Sequence, residues 1–132
     1  MILVDTSLWI EMFAGRVQAR PEDFPSMATC GPIIQEVVQG LRPGSQSPLI
    51  RWQLSGLPRL GDPVTVEIFL EAADLHATSR RRGITIRSSV DCLIASIAIR
   101  HKTPVWHLDR DFDRIATFTE LEIWSPDPGG LV

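Results

Sequence analysis

Four carboxylates stand out by type and position. Asp5 directly follows the wholly apolar run Ile2-Leu3-Val4, and Asp109 follows Trp106-His107-Leu108, part of a strand-like segment. Asp91 falls in the first turn of a helix opened by Ser88, and Glu36 sits early in another apolar helix. If the apolar runs are parallel strands, these acids can meet over one end of the sheet. Like charges a few ångströms apart resist joint ionisation, so four carboxylates in one pocket call for a counter-charge. A hard divalent cation supplies it, and an all-oxygen donor set selects Mg²⁺, or Mn²⁺ in its place, over zinc or copper. Such an ion activates water and offsets charge on a phosphoryl group during in-line attack.

Each acid also has a plain structural reading. Asp91, three residues after Ser88, could complete a capping box. Glu36 and Asp111 could be first-turn acids favoured by the helix dipole, and Asp109 could be an N-cap. Asp5 has no evident capping duty, since Thr6 or Ser7 could open the following helix.

The elements that must hold these residues follow from periodicity. Ile2-Leu3-Val4 suits a strand buried on both faces. A helix with Leu8, Trp9, Met12 and Phe13 on one side follows, then a second apolar run, Met27-Ala28-Thr29-Cys30. After Gly31-Pro32, the spacing of Ile33, Ile34, Val37, Val38 and Leu41 predicts a helix stopped by Arg42-Pro43-Gly44-Ser45. Leu49 to Leu60 reads as another helix. A longer one carries Val66, Phe69, Leu70, Ala73 and Ala77 on its apolar face and ends in Arg80-Arg81-Arg82-Gly83. Val90, Ile94, Ile97 and Ala98 recur in the helix after Ser88. Pro104 to Leu108 and Leu121 to Trp124 read as strands, with a short helix from Asp111 to Ala116 between them. Strands alternating with helices imply an α/β fold: a three-layer α/β/α sandwich around a parallel sheet of four to five short strands.

Composition narrows the class. At 132 residues and 44% hydrophobic, the chain can bury a core and is expected to form one domain. Its longest charge-free stretch, Phe24 to Gln35, contains Pro25 and Pro32 and is too short and too broken for a membrane helix. The start, Met1-Ile2-Leu3-Val4-Asp5, has no basic segment and fits no signal peptide, so a soluble, cytoplasmic protein is expected. Cys30 and Cys92 form no CxxC pair and read as reduced core residues. The net charge of −3 argues only weakly against a nucleic-acid substrate. With four acids assigned to a cation, twelve of the sixteen acids remain against thirteen bases, so the remaining surface is about neutral. Twelve of those bases are Arg, the side chain suited to bidentate phosphate contacts.

The segments Met1 to Ser7, Ile34-Gln35-Glu36-Val37-Val38-Gln39-Gly40-Leu41, Asp91-Cys92-Leu93-Ile94-Ala95 and Leu108-Asp109-Arg110-Asp111-Phe112 resemble those of PIN-domain ribonucleases. Their order, spacing and total length look like the VapC toxins of bacterial toxin–antitoxin pairs. The resemblance covers essentially the whole chain and implies a single PIN-like nuclease domain over residues 1–132. It implies a Mg²⁺-dependent endoribonuclease that halts translation by cutting tRNA or rRNA and leaves 5′-phosphate and 3′-hydroxyl ends. It further implies a toxin that dimerises and is neutralised by a small VapB-type antitoxin, alone or within a larger complex. By matching position, the catalytic acids are Asp5, Glu36, Asp91 and Asp109. Asp5, Asp91 and Asp109 would hold the metal, and Glu36 would bind it or orient the attacking water. Ser7 supports the site with its hydroxyl, and Asp111 is either an outer acid or a helix-start residue. The chain departs from the family at His107, where Thr or Ser is usual, which leaves the orientation of Asp109 open.

Arg80, Arg81, Arg82 and Arg87 form the densest basic cluster; Arg80, Arg82 and Arg87 are the candidate RNA contacts, against the reading of a solvated helix end. Trp52 with Leu49, Leu54 and Leu57 is either core or a contact with the antitoxin or a second copy. The rival functions are a PIN-like module that acts on DNA, one that binds nucleic acid without catalysis, and a phospho-receiver. The last would need paired acids at the first strand, where Asp5 stands alone.

Overall fold

The computed structural model describes residues 1–42, 44 and 46–126. Strand β1 (Ile2–Val4) leads into helix α1 (Thr6–Phe13), a 3-10 segment (Pro21–Ser26) and β2 (Met27–Ala28). Four helices follow: α2 (Gly31–Gln39), α3 (Ser47–Ser55), α4 (Val66–Arg81) and α5 (Ser89–Arg100). Strand β3 (Val105–Trp106) and α6 (Arg110–Ala116) complete the order. The sheet runs β2-β1-β3, all parallel, with Ile2 opposite Met27, and Leu3 opposite both Ala28 and Val105. β1 is central and every residue in it is buried, as its uniformly apolar sequence requires. Chain order reverses across β1, and right-handed crossovers then leave to opposite faces. That arrangement opens a crevice at the carboxyl ends of β1 and β3.

The sheet is smaller than expected: three strands among the described residues instead of four to five. The fourth and fifth positions shrink to single parallel bridges, Thr29 to Arg59 and Val105 to Ile123. Leu121 to Trp124 lies along β3 but finds only two residues of strand there. It makes just two ladder bonds, Val105 N–H to Glu122 C=O and Trp124 N–H to Val105 C=O (2.9 and 2.8 Å).

Two helix faces also differ from expectation. α4 buries Ile68, Ala72, Leu75 and Ser79, while Val66, Phe69 and Leu70 are 69, 51 and 60% exposed. The stripe expected to face the core therefore faces outward. α3 ends at Ser55 rather than Leu60, burying Ile50 and Leu54 and leaving Trp52 75% exposed. α5 is buried nearly all round, from Asp91 and Cys92 to Ala98, and packs against α4. Both cysteines are free and buried. Of the expected stop after α2, Pro43 and Ser45 lie outside the described residues. No helix among the described residues is long and apolar enough to cross a membrane.

Candidate functional site

Asp5 and Asp109 reach the same place from neighbouring strands. The Asp5 amide donates to the Trp106 carbonyl (2.9 Å), which fixes the end of β1 against the end of β3. Asp5 is only 3% exposed, and one carboxylate oxygen accepts both the Ser7 amide (3.1 Å) and the Ser7 hydroxyl (2.6 Å). Asp5 thus caps α1, a duty not evident in the sequence, yet its other oxygen has no partner among the described residues. The Ser7 hydroxyl in turn accepts the Leu108 amide (3.1 Å), tying the Asp5 side to the segment that carries Asp109.

Asp109 caps α6 by accepting the Asp111 amide (2.9 Å). Its own amide donates to His107 Nδ1 (2.9 Å), while His107 Nε2 lies 3.2 Å from Asp113. A Thr or Ser hydroxyl two residues before the acid could accept the same amide. The imidazole does so here, and its second nitrogen is held by a carboxylate.

Asp91 comes from the first turn of α5 and is buried. Ser88 makes no side-chain capping bond, so the capping-box reading does not apply, and one Asp91 oxygen is left without a partner among the described residues. Burial, followed by the charges of Asp109 and Asp5, pushes the Asp91 carboxyl up to about 8. Asp5 is raised for the same first reason, with its hydrogen bonds to Ser7 working against it. Glu36 lies in the second turn of α2, beyond the reach of a first-turn dipole role, and accepts the Thr6 hydroxyl (3.0 Å). Burial raises it as well, and the charges of Asp5 and Asp109 add to that.

The tightest acidic group is not the expected set. One oxygen each from Asp91, Asp109 and Asp111 lie within 4.8 Å of one another, so Asp111 stands in that group where Asp5 was expected. Asp111, however, already accepts the Arg87 amide (3.1 Å) and the Arg114 guanidinium (3.0 Å). Its charge is compensated within the protein. The orphaned oxygens belong to Asp5 and Asp91, and a buried carboxylate oxygen without a partner carries a large desolvation cost. All the donors are oxygens, so the residues present fit a hard divalent cation.

Thr6 and Arg114 were not singled out as site residues. Arg114 had a legible signal, because it follows Asp111 by three positions on one helix and so shares its face. Of the candidate RNA contacts, only Arg87 touches a site acid. Arg82 lies over the Phe118 ring at 5.7 Å, and Arg80 sits exposed in the last turn of α4.

Residues 2–117 match the family described as PIN domain. The chain is 38% identical over 133 aligned residues to a VapC ribonuclease of Mycobacterium bovis and to Ribonuclease VapC11 of Mycobacterium tuberculosis. Each match covers 95% of this chain and 98% of the relative. Among solved structures, it shares its fold with VapBC-1 from nontypeable Haemophilus influenzae (TM-score 0.71, 19% identity, 95% of this chain and 98% of that one). It also shares it with Mycobacterium tuberculosis VapC20, described as a sarcin-ricin loop cleaving toxin (TM-score 0.63, 22% identity, 92% and 99% covered).

Proposed function

The chain belongs to the PIN-domain family, among its VapC ribonucleases, and from that premise we propose that it is a divalent-metal-dependent endoribonuclease restrained by an antitoxin. The observation that carries this reading is the pair of buried, unpartnered carboxylate oxygens of Asp5 and Asp91 beside Asp109. Asp5, Asp91 and Asp109 would hold Mg²⁺, with Mn²⁺ able to replace it. The bound ion supplies water activation and offsets charge on the phosphoryl oxygens. Glu36, held by Thr6 and raised by burial, orients the attacking water and accepts its proton. Ser7 and His107 act as positioning residues, the first on Asp5 and the second on the Asp109 backbone. The substrate class is structured RNA of translation, tRNA or rRNA; the VapC20 description names an rRNA loop for that relative.

Two apolar surfaces suit the partners. A groove of about 820 Å³ between α1, the 3-10 segment and α3 is lined by Trp9, Phe13, Val17, Phe24, Trp52 and Leu57. The buried Trp9 Nε1–H has no acceptor among the described residues. We assign this groove to a VapB-type antitoxin, since structures of this fold include VapBC toxin–antitoxin assemblies. The outward stripe of α4 is assigned to a second copy. Two α4 helices packed antiparallel would set Glu67 of each near the Arg81 end of the other, with the small Ala73 at the crossing.

Incubation with total tRNA and rRNA in Mg²⁺ tests the nuclease reading. Cleavage at defined sites is expected, abolished by EDTA and by Asp91→Asn, with DNA of the same sequence left intact. Full-rate cleavage in EDTA would overturn it.

A further inference from the structure

Next to the acidic group is an open cavity of about 520 Å³ lined by Gly83, Ile84, Thr85, Arg87, Arg114 and Thr117. No acid lines it, and two arginines do. Asp111 links the cavity to the candidate metal centre through two of the lining residues: one oxygen lies within the Asp91–Asp109–Asp111 group, while the carboxylate holds Arg114 at 3.0 Å and the Arg87 amide at 3.1 Å. Resting on the nuclease reading above, we propose that this cavity is a phosphate subsite that binds a backbone phosphate of the RNA flanking the one that is cut.

Three features support that assignment. The Arg87 guanidinium is exposed and has no partner among the described residues, so it is held beside the site without a structural duty. Arg114 commits one nitrogen to Asp111, and a guanidinium carries five donors, so most of its fork remains for a second anion. That bond also fixes its position before any ligand arrives, which lowers the ordering cost of binding. The exposed Thr85 hydroxyl is a third donor on the same wall. A polyanion passing four carboxylates needs a cationic foothold beside them, and planar bidentate arginine is the side chain that supplies one for phosphate. Asp111 then acts as a positioning residue that joins the two sites.

The test walks a single neutral methylphosphonate along a cleaved oligoribonucleotide. For the wild-type chain in Mg²⁺, one flanking position is expected to raise KM about tenfold, the loss typical of one charge-assisted phosphate contact. Arg87→Gln, whose backbone bond to Asp111 survives, should raise KM on the native RNA and show no further loss at that position. Arg114→Gln should do the same, and each should lower the salt slope of kcat/KM by roughly 0.7. Variants that lose the same factor as wild type at every position would overturn the subsite while leaving the nuclease standing. A wild-type chain that cuts no RNA in Mg²⁺ or Mn²⁺ would overturn the nuclease reading and the subsite with it.

Discussion

Burial and the charges of Asp109 and Asp5 push the Asp91 carboxyl up to about 8, so near neutral pH the metal-free chain holds a proton there. The sign of the stability effect follows. Below the ordinary value of 3.8 the folded and unfolded chains are both protonated and there is no penalty. As pH rises toward about 8, the unfolded chain ionises first and the folded chain resists, so metal-free stability should fall across that window. Asp5 and Glu36 are raised in the same direction and add to it. Metal ligands must be deprotonated, so the gain in Tm on adding Mg²⁺ should be larger at pH 8 than at pH 5. Thermal melts at both pH values, with Mg²⁺ and with EDTA, check this; an equal gain would contradict it. For the same reason Asp91→Asn should stabilise the metal-free fold by about 1 kcal/mol while cleavage is lost. Ser7→Ala, which removes the hydroxyl bond to Asp5 and that hydroxyl's link to Leu108 while the Ser7 amide bond survives, should weaken Mg²⁺ affinity or kcat/KM by about 10–100-fold. Titration of Mg²⁺ dependence reads that effect, and Ser7→Thr should restore part of it.

What was legible in the sequence depended on how single-valued each pattern was. Ile2-Leu3-Val4 has apolar side chains at every position and can only be a strand buried on both faces, so Asp5 could be placed at its end from sequence. The helix after Ser88 carries apolar residues on most of its faces and is buried nearly all round. α4 is different, because it carries two apolar stripes. Val66, Phe69, Leu70, Ala73 and Ala77 lie opposite Ile68, Ala72 and Leu75, and periodicity alone cannot say which stripe meets α5. The larger, aromatic stripe is the exposed one. The sheet was overcounted for a related reason: β2 and β3 have two residues each, too few to template full outer strands. Arg59 pairs with Thr29 only because the chain after α3 returns past β2, a contact with no local signature. If the outward aromatic stripe of α4 pairs with a second copy, as proposed, that pairing covers it. Phe69→Glu should therefore turn a dimer into a monomer, read by light scattering, with Tm changed by little because Phe69 buries no core surface. A monomeric wild type would remove α4 as the self-contact.

The acidic crevice and the apolar groove are built on the same short stretch of chain, so the proposed catalysis and the proposed restraint share a helix. α1 begins at Asp5 and Ser7 in the site and continues through Trp9 and Phe13 into the groove. Trp9 and Phe13 stack with centroids 5.7 Å apart, so the groove wall is rigidly continuous with the helix that Asp5 caps. A peptide filling the groove would therefore sit one or two helical turns from the carboxylates, near enough for its flanking residues to cover them. Trp52 is the side chain best placed to report and anchor such a peptide, being 75% exposed on the opposite wall. Trp52→Ser should weaken antitoxin binding by at least about tenfold, as expected for loss of an aromatic anchor, without lowering free-toxin cleavage. Restraint should then fail at antitoxin concentrations that silence the wild type. Since a partner that binds only the folded chain raises stability by mass action, the antitoxin should also lift the Tm of wild type more than that of the variant. Equal affinity for both chains would move the antitoxin off this groove, whereas a parallel loss of cleavage and binding would show that Trp52 supports the fold of α3 instead.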